Sequence, residues 1–280
     1  MNTNKTRDPG IYLNIPNGEY HAGPELSNSG IHDILQSPYH YWARHLNPER
    51  PPKKEKAGQL EGNLAHCAIL EPGEFEARYR VGPDVSRATK QWKTEEESAK
   101  ADGVTLIKSD QATVAMAQSR AVRSIPEVEE LLSSGNPEVS AFWRDPEFQV
   151  MCRCRPDWVH PVGEEGVILM DVKTFSDSDP EEFARQASRK FYDQQHAFYV
   201  DGYSIASGKK VLGFIFVAVE TDYPYAASAV MLDDDSVEAG RDRYREGVRR
   251  FAECAETREW PGYGANGIEL IRLAGWRLGR

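Results

Sequence analysis

The chain has 280 residues, 40% of them hydrophobic, enough for one large core or two small ones. Its 44 acidic residues outnumber 34 basic ones, for a net charge of −10. That balance excludes a protein that coats nucleic acid through a uniformly basic surface; positive charge for such a partner must be gathered locally. No apolar run approaches a membrane span and no secretory leader opens the chain, so the sequence predicts no membrane partner and a cytoplasmic location. Cys67, Cys152, Cys154 and Cys254 are then expected as reduced thiols.

Residues 1–24 read as a turn-rich arm with one short strand around Ile11–Ile15, ahead of a single domain over 25–280. Ser29 is expected to cap a helix over 30–36, and Ser37, with Pro38 at the first helical position, a second helix to about His45. Tyr39, Tyr41 and Trp42 read as core, with a DNA-facing surface as the alternative. Residues 44–56 form the densest basic run, with Arg44, His45, Arg50, Lys53, Lys54 and Lys56. This is either a solvated loop or one that contacts phosphates. Over Gln59–Leu70, Leu60, Leu64, Cys67 and Ala68 make a helical stripe, with Gly62 and His66 one turn apart on an adjacent face. A lone helical histidine is more often structural than catalytic, so periodicity alone gives His66 no role. Within residues 78–108, the run from Arg87 through Lys90 to Trp92 interleaves charge with an aromatic ring, a pattern that can suit a nucleic-acid strand.

A helix from residue 109 should end near Pro126, with a short amphipathic helix following to Leu132. Glu138–Trp143 reads as the first strand of a sheet, continued by a hairpin of residues 150–159 and 166–174 around Pro161 and Gly163. Strand alternation places Asp171 and Lys173 on one face, and the hairpin brings Asp157 toward Asp171. Two close carboxylates repel, raise a pKa or share a cation; for Asp171 with Lys173 an ion pair at a strand end is the plainer alternative. Asp179 and Pro180 start a helix running to Gly202, with Gln195 on its apolar stripe and Tyr199 one turn later. A buried glutamine needs partners. Val211–Val219 reads as a central strand buried on both faces, and 226–232 as the next strand. Asp233, Asp234 and Asp235 are assigned to capping a helix over 236–257 rather than to a metal, and 268–273 is a short strand-like stretch.

Pro156-Asp157 followed by Asp171-Val172-Lys173 resembles the PD-(D/E)XK nuclease signature. Gly62 to His66 resembles the G-x-x-x-H element of its RecB-like branch, and Gln195 to Tyr199 the Q-x-x-x-Y element. Leu26 to Ser29 with Ser37 to Trp42 resembles the start of the RecE nuclease domain (exodeoxyribonuclease VIII) and its phage relatives. The resemblance runs from about residue 24 to about residue 263. It implies a restriction-endonuclease-like α/β fold with a central mixed sheet and helices on both faces. It implies Mg²⁺, for which Mn²⁺ substitutes, held by His66, Asp157, Asp171 and the Val172 carbonyl, with Glu138, Lys173 and Gln195 completing the catalytic set. Tyr199, Arg155, Arg44, Lys53, Lys54, Arg87 and Lys90 are the expected DNA contacts. The implied activity is a 5′→3′ exonuclease on duplex DNA, assembled as a ring and leaving 3′ single strands for an annealing partner. Some RecB-like relatives hold an iron–sulfur cluster on one cysteine before the core and three after it. Here only Cys254 follows the core, so neither a cluster nor zinc is expected. The alternatives are a single-strand- or structure-specific RecB-like nuclease, a catalytically silent DNA-binding subunit on the same fold, and an acidic metal-binding protein. The last leaves the Gly62/His66 and Gln195/Tyr199 pairs unexplained.

Overall fold

A computed structural model describes residues 6–52 and 57–273. Its centre is β8 (Gly166–Phe175), a strand whose apolar residues leave little of either face to water. The sheet it anchors has five strands in the order β10 (Ala227–Val230), β9 (Lys210–Glu220), β8, β7 (Trp158–Val162) and β4 (Asn136–Pro137). β8 and β9 run parallel over their full length; the other neighbours are antiparallel, so the sheet is mixed as expected. The central placement of Val211–Val219 also holds, although Leu212 at its start is half exposed.

The sheet is covered on both faces because both faces are apolar. On one, Phe214, Phe216 and Leu169 pack with α10 (Tyr192–Ser207), α11 (Asp234–Thr257) and α2 (Asn28–Gln36). On the other, Met170, Val172, Val217 and Val219 meet α4 (Gln59–Leu70), α7 (Ser109–Arg123) and α8 (Pro126–Leu132). Phe183, Phe198, Phe214 and Phe216 are fully buried, each contributing about 2 kcal/mol through its apolar area.

Several expectations change. Residues 150–159 do not form one arm of a hairpin. β6 (Met151–Cys154) leaves for a second, three-stranded antiparallel sheet with β5 (Ser140–Arg144) and β1 (Gly10–Tyr12), and only β7 pairs with β8. The chain changes sheets at Arg155–Asp157, where Pro156 cannot donate a ladder hydrogen bond. The strand expected over 138–143 is β5 of that second sheet, and Glu138 lies outside it at φ 50°. The arm holds a helix, α1 (Asn17–Ala22), besides its strand. Ser27 rather than Ser29 caps α2, accepting from the Gly30 N–H. The helix expected from 180 to 202 breaks at Phe191, which takes a left-handed conformation (φ 57°) between α9 (Pro180–Lys190) and α10. Residues 78–108 contain a two-stranded parallel sheet, β2 (Tyr79–Val81) with β3 (Thr105–Ile107), and α6 (Lys90–Ala101). Residues 268–273 form no strand; Ile268, Leu270 and Ile271 are exposed. Asp179 and Asp233 cap α9 and α11 as expected. Among the described residues no helix is long and apolar enough to cross a membrane.

Candidate metal centre

Three elements converge beside the end of β8. On α4, Leu64, Cys67 and Ala68 face one small core while Ala65 and Ile69 face the main sheet, which leaves His66 between them. Asp157 sits at the crossover between the two sheets, and its Oδ2 accepts the Val172 N–H at 2.7 Å. Glu138 follows β4, and its N–H donates to the Asp157 carbonyl at 2.9 Å. These links bring one nitrogen of His66 and one oxygen each of Glu138 and Asp157 within 4.8 Å of one another. Nδ1 of His66 stands 3.6 Å from Asp157 Oδ2. His66 and Glu138 open on a cavity of about 480 Å³, walled across from them by Asn14–Asn17.

Asp171 and Lys173 do share a face, and Lys173 Nζ lies 3.0 Å from Asp171 Oδ2. Gln195 supplies the other side: its Nε2 donates to both Asp171 oxygens, at 2.9 and 3.0 Å. This satisfies a buried glutamine and fixes a carboxylate that is only 2% exposed. Asp171 thus lies beside the His66–Glu138–Asp157 trio, with its oxygens also engaged by Gln195 and Lys173. Burial works against the Lys173 charge, yet Asp171 beside it prevails and holds the ammonium above its ordinary pKa. The Lys173 ammonium also lies 4.9 Å from the Tyr192 ring centroid.

The crowding of acids shows in their titration. Burial first, and Asp171 second, push Asp157 up to about 6. Partial withdrawal from water, then the Asp157 charge, push Glu138 up to about 8. Two carboxyls pushed upward by burial and by neighbouring carboxylates, with one imidazole beside them, fit a divalent cation. The linkage has a definite sign. Both folded pKa values exceed their unfolded ones, so the associated stability is full below about pH 4 and falls as pH rises through about 6 and about 8. Metal-free Glu138→Gln should thus match the wild type in melting temperature near pH 4 and exceed it increasingly toward pH 8.5. A gap that does not change with pH in calorimetry would refute this.

The expected DNA contacts are scattered. Arg155 is only 8% exposed and bonded on several sides, not free to meet a strand. Arg44 is ion-paired with Asp33 and bonded to Gln36. Arg87 donates to Gln111 at 2.8 Å, and Trp92 below it is core, 1% exposed. Lys90 opens α6, and Tyr199 is half buried against Phe214. Lys53 and Lys54 lie outside the described residues. The four cysteines are buried free thiols, and burial pushes those of Cys152 and Cys154 up. The arm's contribution to the site, from Asn14 through Tyr20 to Arg155, had no signal in the sequence. Asn63, inside the G-x-x-x-H element, did.

A mixed sheet covered by helices on both faces, with P-D on one strand's approach and D-x-K on the next, is the restriction-endonuclease-like α/β fold. Residues 27–274 match the PDDEXK-like domain of unknown function (DUF3799), and the chain belongs to that family. Among solved structures it is similar to a candidate exonuclease from Eubacterium rectale, at 13% identity and a TM-score of 0.59, covering 95% of this chain and 96% of that one. A phage-related exonuclease from Haemophilus somnus 129PT is also similar, at 14% identity and a TM-score of 0.33, covering 84% of this chain and 96% of that one. No curated protein matches.

Proposed function

We propose that this chain is a divalent-metal-dependent nuclease that degrades duplex DNA from the 5′ end. The observation that carries the reading is the convergence of His66, Glu138 and Asp157 donors beside an Asp171 fixed by Gln195 and Lys173. His66, Glu138 and Asp157 would hold the cation, with Asp171 and the Val172 carbonyl completing its shell. When bound, Mg²⁺ or Mn²⁺ supplies Lewis acidity toward a phosphate oxygen and acidifies a water. The protein's own groups do the rest. Gln195 keeps the Asp171 oxygens aimed. Lys173, paired with Asp171, would offer charge to the phosphate and orient the attacking water. The similar structure from Eubacterium rectale supports exonucleolytic cleavage, and the resemblance of Leu26–Ser29 and Ser37–Trp42 to the RecE nuclease domain supports 5′→3′ polarity. A ring of several copies and a single-strand annealing partner complete the reading.

The test is degradation of a linear duplex labelled at either end, in Mg²⁺ or in EDTA, with Lys173→Ala as control. Metal-dependent early release of the 5′ label, slowed by at least about 10²-fold in the variant, is expected. Early release of the 3′ label would reverse the polarity. Cleavage of closed circles would make the protein an endonuclease. DNA binding without cleavage under any metal would make it a silent subunit.

A further inference from the structure

Glu138 brings a donor to the metal trio from an unusual backbone. It sits between two strands of different sheets at φ 50°, and 41% of its side chain meets water. The cation within 4 Å of it among the described residues is Arg155, with Nη1 3.9 Å from Glu138 Oε2. Arg155 is in turn held by the N-terminal arm and by β5. Its Nη2 donates to the Ile15 carbonyl at 3.1 Å, and its guanidinium lies 3.9 Å from the centroid of the Tyr20 ring, which is 6% exposed. Its Nε donates to Ser140 Oγ at 2.9 Å, and Ser140 pairs with Tyr12 of the arm's strand.

We propose that Arg155 is a positioning residue that sets Glu138 for the divalent cation, and that residues 10–20 are the clamp that sets Arg155. The inference rests on the metal centre described above. The physical case is that a planar guanidinium sandwiched between a ring and two oxygens loses its freedom before it meets the carboxylate, which an ammonium on a flexible stem cannot do. Glu138 is then held near His66 and Asp157 without waiting for the ion. Partners that orient a ligand in this way are typically worth 10–100-fold in metal affinity.

The experiment measures Mn²⁺ binding to the full chain, without nucleic acid, from the loss of the free-ion electron paramagnetic resonance signal, with melting curves to verify folding. Arg155→Lys keeps the charge and is expected to bind Mn²⁺ about tenfold more weakly. The double variant Arg155→Lys/Glu138→Gln should bind no more weakly than Glu138→Gln alone, since the arginine acts through that carboxylate. Tyr20→Leu, which touches no ligand, should weaken binding in the same direction, and this variant decides the matter if Arg155→Lys does not fold. Wild-type affinity in a folded Arg155→Lys or Tyr20→Leu protein, or losses that simply add in the double variant, would overturn the proposal. Binding that Asp157→Asn leaves unchanged would instead remove the metal centre itself, and the proposal with it.

Discussion

Asp171→Asn is expected to leave the protein folded while reducing metal-dependent cleavage by on the order of 10³-fold. The substitution keeps the volume and an acceptor for Gln195, whose Nε2 now bonds both carboxylate oxygens at 2.9 and 3.0 Å. What goes is a charge beside the trio of His66, Glu138 and Asp157. A lost ligand charge of about 4 kcal/mol at the transition state corresponds to that factor of 10³. A second effect is separable. Asp171 is what holds the Lys173 ammonium above its ordinary pKa against burial. In the variant only Tyr192 and Asp157 still oppose burial, so the lysine pKa falls and its amine reacts faster with electrophilic reagents at neutral pH. Mass-spectrometric labelling of Lys173 would read this without any DNA. A folded variant that keeps cleavage within tenfold of wild type would remove Asp171 from the mechanism.

Gly240→Ala should be the most damaging single methyl group in the molecule. A Cβ at Gly240 would lie 2.2 Å from the carbonyl carbon and oxygen of Asp193 and 2.7 Å from the Gln194 nitrogen. These are backbone atoms in the first turn of α10, so no rotamer change relieves the clash, and α10 and α11 must part. The expected cost is about 3 kcal/mol, a fall in melting temperature of roughly 6–12 °C. Because the same turn carries Gln195, residual activity should fall further than the stability loss explains. Gly62→Ala is the matched control: nothing lies within 4 Å of its added Cβ, and alanine favours the α4 helix. It should be neutral or stabilising, and any loss of activity there would mean that substrate passes over this turn. Equal melting curves for Gly240→Ala and wild type would show that the two helices are not in contact at this point.

Periodicity identified the helices and strands that carry His66, Asp171, Lys173 and Gln195, because each lies in an element with a clear apolar stripe or run. Alternation in β8 put Asp171 and Lys173 on one side, and the structure pairs them. Gln195 was marked as a polar residue on an apolar stripe, and its partner is the Asp171 carboxylate. What sequence could not give was the exchange between sheets at Arg155–Asp157. An apolar run reads the same whether its two halves pair with one neighbour or two, so the break at Pro156 looked like an uninterrupted hairpin arm. The helix break at Phe191 was hidden for a related reason: the stripe continues in phase on either side of one left-handed residue. The arm's short strand was expected, but its helix was not, because α1 is six residues long, below the length at which a period can be counted.

The parallel pairing of β8 with β9 has a consequence in time. An antiparallel hairpin can close as soon as its turn leaves the ribosome, but these two strands meet only after residues 176–209 have been made and folded between them. That intervening stretch includes Gln195, so Asp171 is fixed only once it is present. A polypeptide interrupted before β9 thus carries His66, Glu138, Asp157, Asp171 and Lys173 without a framework to align them.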